Sequence, residues 1–211
     1  MGRAWTSDSG DNLYVSVALR PNLPPETLRG LTLWVGIYLA RGLSTLLGRG
    51  RIQLKWPNDL LIDGKKFGGL LTEAKSDADF MRTLIVGLGL NVNTDPATFP
   101  EALRDKATSL RAHASQALSL NRIGALCTRW ICEAYQTTIE TKDDDQALIK
   151  AWREWDSLVG TPICIHRLNT EISGTARGIN ADGALLVDQG AAGIKAFQAG
   201  DVTTQGPSKK P

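Results

Sequence analysis

The chain has 211 residues, of which 24 are Lys or Arg and 22 are Asp or Glu, for a net charge of +2. That balance argues against a nucleic-acid binder that works by neutralising phosphates. The length suits one full domain plus a small appended one, and burial of roughly 70% of the unfolded surface removes the need for a disulfide or metal staple.

Asn12–Leu19 alternates Leu13, Val15, Val17 and Leu19 with polar neighbours, which predicts a strand. Pro24-Pro25-Glu26 predicts a helix start. Leu28, Leu31, Val35, Tyr38, Leu39, Leu43, Leu46 and Leu47 give that helix an apolar stripe, and Gly48 and Gly50 end it. Strands are expected at 52–56, 58–62 and 67–73, with Asp63-Gly64 as a two-residue hairpin turn. Residues 83–92 are almost wholly apolar, which predicts a central strand buried on both faces. A short helix is expected over 101–112, a longer one capped by Asn121, and a third over 146–158 with Leu148, Trp152 and Trp155 facing inward. After Val159-Gly160-Thr161-Pro162 the character changes to short strands at 163–167, 171–179, 184–188 and 194–199, a small all-β unit read as a partly open barrel. The tail after Gln205 is expected to be disordered.

Cys127, Cys132 and Cys164 show no CxxC spacing and read as reduced, packed thiols of a cytoplasmic protein. Cys127 and Cys132, five apart on a helix, point away from each other. His113 and His166 read as structural or exposed, and the histidines and cysteines give no metal-site spacing along the chain. No run of about 18 apolar residues predicts a membrane span, and MGRAWTSDSG does not read as a signal peptide.

Four constellations carry chemistry. In Lys55-Trp56-Pro57-Asn58-Asp59 the proline holds Trp56 extended and presents an amide and a carboxylate. Read alone, it also describes a strand end with an Asx turn. In Lys65-Lys66-Phe67-Gly68-Gly69 only one lysine can face a pocket, and the glycines permit close approach of a ligand or another backbone. One lysine–anion contact at about 4 Å and an effective dielectric near 20 gives about 4 kcal/mol before desolvation. The alternative there is a bulged hairpin with solubilising lysines. Gly87-Leu88-Gly89-Leu90-Asn91-Val92-Asn93 lets something press on a buried strand and puts Asn91 and Asn93 on one face. It is neither a dinucleotide fingerprint nor a P-loop, and taken alone it is better accounted for by a buried strand ending in a turn. Gly2-Arg3-Ala4-Trp5 could clamp an anion and stack a base, or be a loose chain end.

Together, in this order, the Trp-Pro-Asn-Asp, Lys-x-Gly-Gly and Gly-x-Gly-x-Asn-x-Asn motifs resemble those of the biotin protein ligases. The resemblance covers nearly the whole chain and implies an α/β (α+β) fold. A class II synthetase-like catalytic domain would span 1–158 and an SH3-like β-barrel 159–205, with a tail at 206–211. It implies that biotin and ATP, with Mg²⁺, give biotinoyl-5′-AMP, and that a lysine of the biotin carboxyl carrier protein of acetyl-CoA carboxylase then takes the biotin. Lys66 falls on the family's key lysine. Gly68 and Gly69, with Lys66, fall on the biotin side; Arg3, Trp5, Lys55, Asn58, Asp59 and Asn91 fall on the ATP or adenylate side. No protein-held metal site is implied, no membrane and no nucleic acid, and a homodimer is compatible with the family.

The family pattern Gly-Arg-Gly-Arg-x-Gly-Arg-x-Trp is met only by its tail, Gly2-Arg3-Ala4-Trp5, and an earlier Ser/Thr-Ser/Thr-Asn segment is not met at all. Gln205 replaces a family arginine. The expectation is a longer frame read from an internal Met1, with a genuine fragment as the alternative. Rivals to the ligase reading are a non-catalytic remnant that keeps nucleotide or carrier contacts, and a lipoate-type ligase, against which the pairing of Lys55–Asp59 with Lys66–Gly69 argues.

Overall fold

The computed structural model describes residues 10–47, 51–167 and 170–204. The fold is mixed α/β with two five-stranded antiparallel sheets. The expected helix stop at Gly48 and Gly50, the Arg3 and Trp5 assignments, Gln205 and the tail lie outside the described residues.

β1 (Asn12–Leu19) spans the alternating run. The helix expected from Pro24 is split. Pro25–Leu28 forms one 3-10 turn, and α1 (Leu31–Ser44) starts anew after Gly30. Gly30 has φ +73°, a backbone state that breaks the helix and favours glycine. β2 (Ile52–Lys55) and β3 (Asp59–Ile62) flank a cis Trp56–Pro57 peptide. β4 (Lys65–Ser76) returns through Asp63-Gly64, whose φ values of +49° and +79° fit a type I′ hairpin turn.

β5 (Met81–Asn91) lies second in the order β1-β5-β4-β3-β2. It corrects the expectation of two buried faces. Leu84, Val86, Leu88 and Leu90 are buried, while Ile85, Gly87 and Gly89 are half-open. Helices cover one face only among the described residues.

The 101–112 helix is reduced to α2 (Glu101–Arg104) and a 3-10 turn at Leu110–His113. α3 (Leu120–Glu140) is capped by Ser119, whose hydroxyl accepts from Arg122 N, so Asn121 is already inside the helix. α4 (Ala147–Arg153) stops short of 158 because the chain then pairs with the edge of β2: Leu54 N donates to Trp155 O and Ser157 N to Leu54 O.

The second sheet runs β10-β6-β7-β8-β9. Its strands are β6 (Pro162–Arg167), β7 (Thr170–Ile179), β8 (Leu185–Asp188), β9 (Ile194–Phe197) and β10 (Asp201–Thr204). β10 was not expected; it is four residues long with no apolar alternation beyond Val202. Trp56 ties the two sheets together, since its buried indole Nε1–H donates to Gly183 O at 2.9 Å. Arg29 and Asp182 add an exposed ion pair nearby. Among the described residues no helix is long and apolar enough to cross a membrane.

Candidate active site

Residues directly opposite in an antiparallel pair project to the same face. The registers Lys55↔Asp59, Asp59↔Gly69, Gly69↔Gly89 and Gly89↔Tyr14 therefore form one row across all five strands of the first sheet. The row lies on the face away from the helices. Two of its five positions are glycine, so its centre is bare backbone with Lys55 and Asp59 at one end and Tyr14 at the other. Leu71, one step along the same face, is 61% exposed, and Tyr14 is 54% exposed. Apolar groups on an open face beside a glycine floor suit a flat organic ligand.

Lys66 reaches this face because β4 is bulged. Gly68 opposes Leu60 and Lys66 opposes Leu61, which leaves Phe67 without a register partner. Strict alternation would put Lys66, three residues before Gly69, on the opposite face. The extra residue turns it over. Phe67 is fully buried, and Lys66 Nζ meets Asp59 Oδ1 in a short ion pair. An added Cβ on Gly69 would lie 3.4 Å from Lys66 Nζ, so the ammonium hangs beside the bare Gly69 position.

The bulge is held from outside. Lys66 N donates to Lys106 O, and Thr108 N donates to Lys66 O. Asn91, 6% exposed, donates Nδ2–H to Thr108 O, which fixes this strap to the end of β5. His113 Nε2 lies 3.1 Å from Thr108 Oγ1, and its Nδ1 lies 3.8 Å from Asp63 Oδ2 at the hairpin tip. Asn58 acts similarly on the other side: its Nδ2–H donates to Leu70 O and its own carbonyl accepts from Leu70 N. Asn93 holds Leu118 through both ends of its carboxamide.

The structure thus brings Lys55, Asp59, Lys66 and Gly69 onto one face. It does not bring Gly68 there, and this corrects the sequence reading. Gly68 is buried on the helix side, where a Cβ would meet Leu90 Cδ2 at 2.5 Å and Gly89 O at 3.0 Å. The core there leaves no room for a side chain. Tyr14, which ends the row, was not among the sequence candidates, although an aromatic at an outward position of an alternating strand was the available signal. The two larger hollows lie elsewhere: one of about 370 Å³ beside Arg29 and Asp143–Asp145, and one of about 550 Å³ beside Leu46 and Ser115–Ile123.

Such an arrangement, a bare glycine patch with one oriented ammonium beside it, suits the binding of a flat carboxylate or phosphate compound. The comparisons narrow the class. A family model described as "Biotin/lipoate A/B protein ligase family" matches residues 1–91, and "Biotin protein ligase C terminal domain" matches residues 160–203. The chain is 33% identical to the bifunctional ligase/repressor BirA of Bacillus subtilis, over 96% of this chain and 61% of that protein. It is 27% identical to the biotin–[acetyl-CoA-carboxylase] ligase of Paracoccus denitrificans, over 95% of this chain and 83% of that one. The solved structure of biotin protein ligase from Aquifex aeolicus in complex with biotin and ATP superposes with a TM-score of 0.77. It is 26% identical, covering 97% of this chain and 82% of that one. The chain belongs to the biotin protein ligase family. It spans about three fifths of the length of the Bacillus relative.

Proposed function

We propose that the open face of the first sheet joins biotin to ATP as biotinoyl-5′-AMP and then passes biotin to a lysine of a biotin carboxyl carrier protein. The observation that carries this reading is the ion-paired Lys66 beside the bare Gly69–Gly89 floor. It is supported by the family membership and by relatives whose names state biotin ligation to acetyl-CoA carboxylase.

In the first step a biotin carboxylate oxygen bonds to the α-phosphorus and pyrophosphate leaves. Both reactants are anions, so their approach needs fixed positive charge. Lys66 supplies it, and Asp59 holds the ammonium in place before substrate arrives, which is electrostatic preorganisation. The glycine floor lets the biotin rings lie flush, and Tyr14 and Leu71 border them. Lys55, in the same row, serves the nucleotide. Asn58 and Asn91 act also through the loops they hold, each giving one amide N–H to a backbone carbonyl, Leu70 O and Thr108 O. In the second step the carrier's lysine amine attacks the acyl carbon, AMP leaves and the amine gives up a proton. Mg²⁺ takes one or two carboxylates plus phosphate oxygens and water. Asp59 fits as such a ligand, and the ion would screen phosphate charge.

Biotin-dependent exchange of label between pyrophosphate and ATP tests the first step. Lys66→Ala should lower exchange by about 100- to 1,000-fold, the cost of removing one transition-state charge donor. Normal exchange by a folded Lys66→Ala protein overturns the assignment. Lipoate in place of biotin should support no exchange.

A further inference from the structure

The second sheet carries a cluster that the ligase reading does not use. Along β6, Ile163 and Ile165 point into the core, while Cys164 and His166 share the opposite face. The registers His166↔Glu171 on one side and Cys164↔Thr203 on the other bring a carboxylate and a hydroxyl beside them. One ligand atom from each of Cys164, His166 and Glu171 lies within 4.8 Å of the other two.

The ring of His166 is fixed at both nitrogens. Nε2 lies 2.8 Å from Thr203 Oγ1, and Nδ1 lies 3.2 Å from Glu171 Oε1. Nδ1 therefore faces the same space as the Glu171 carboxylate and the Cys164 thiol.

We propose that Cys164 Sγ, His166 Nδ1 and Glu171 Oε1 hold a divalent ion of the zinc class, with one position open. Thiolate, imidazole and carboxylate form a donor set that zinc takes and that magnesium and calcium do not. Tetrahedral coordination needs donor atoms about 3.5 Å apart; His166 Nδ1 and Glu171 Oε1 stand 3.2 Å apart, and all three ligand atoms lie within 4.8 Å of one another. Glu171 is 74% exposed and has room to rotate inward. Thr203 supplies the outer hydrogen bond that zinc-bound histidines make through the nitrogen that does not face the metal. The ion would staple β6 to β7 at the solvent face of the second sheet.

Co²⁺ is the probe. Titrated into the intact chain, it should give a near-ultraviolet thiolate-to-cobalt charge-transfer band that excess Zn²⁺ abolishes. Cys164→Ser should lose the band; Cys127→Ser and Cys132→Ser should keep it. Thr203→Val should weaken Co²⁺ binding by about 10- to 100-fold. Glu171→Gln changes an exposed side chain, so folding is retained, and it should weaken binding at least about 10-fold by the same reasoning. Absence of the band from the unaltered chain overturns the proposal. So does a band that survives Cys164→Ser, or an unchanged affinity in Glu171→Gln.

Discussion

The two faces of the first sheet use the same strands to opposite ends. On the helix side, Leu54, Leu60, Leu70, Val86, Leu88 and Leu90 are all buried and fill the space to α1. On the open side the same strands present Lys55, Asp59, Gly69, Gly89 and Tyr14 in one row. Gly68 and Gly69 are neighbours in sequence, yet one faces the packed core and the other the open face. Composition alone makes the Gly-Gly pair one feature. The pleat makes it two.

The sharpest way to break this contrast is to add the same methyl group at each position. Gly68→Ala puts a Cβ 2.5 Å from Leu90 Cδ2 and 3.0 Å from the Gly89 carbonyl, in a core with little room to yield. Overpacking of that kind costs about 1–3 kcal/mol. It should appear as a lower denaturation midpoint at unchanged slope. An unaltered midpoint would mean that Gly68 has the freedom of its neighbour. Asp59→Asn comes next. It keeps size and removes the charge that fixes Lys66, so kcat/KM for biotin should fall by about 10- to 100-fold, equivalent to about 1.4–2.7 kcal/mol of transition-state stabilisation. Retained activity would show that the ammonium needs no anchor. Gly69→Ala is the counterpart of Gly68→Ala. Its Cβ meets nothing closer than Lys66 Nζ at 3.4 Å. Stability should stay within about 0.5 kcal/mol, while KM for biotin rises because the floor is no longer flat. A loss of stability matching that of Gly68→Ala would erase the distinction between the faces.

Most of the fold was legible because period-2 alternation and turn chemistry are local. Asn12–Leu19 and the Asp63-Gly64 turn follow from their own residues. What was not legible depends on partners distant in sequence. The bulge that turns Lys66 over is held by Lys106 and Thr108, some forty residues later. Without it, alternation could say only that one lysine of the pair faces the site. Gly68 was misplaced for the related reason that Leu90, which excludes a side chain there, belongs to another strand. Asn58 and Asn91 were recognised as a pair of amides but not as loop anchors, since their partners are backbone carbonyls that carry no sequence signal. Cys164 and His166 sit at strand spacing, but Glu171 joins them only through the register of β6 with β7.

A second pair of aspartates extends the comparison to charge. Asp59, on the open face, meets a lysine. Asp156, where the chain leaves α4 to pair with β2, is half-buried, and its Oδ1 accepts from Leu158 N at 2.8 Å. Burial pushes its carboxyl above the ordinary 3.8, and hydrogen bonding from Leu158, Trp152 and Val159 only partly opposes that. The fold therefore favours the protonated form. Its contribution to stability is fully present below the unfolded value of 3.8 and is lost as pH rises through the raised folded value. Asp156→Asn keeps an oxygen for Leu158 N and removes the buried charge. At neutral pH the variant should be at least as stable as the parent, and the parent should gain on it only as the medium is acidified. Unfolding curves for both proteins from neutral pH downward measure that difference. A parent that is more stable at neutral pH, and loses ground on acidification, would mean that Asp156 is held as a charge by a partner.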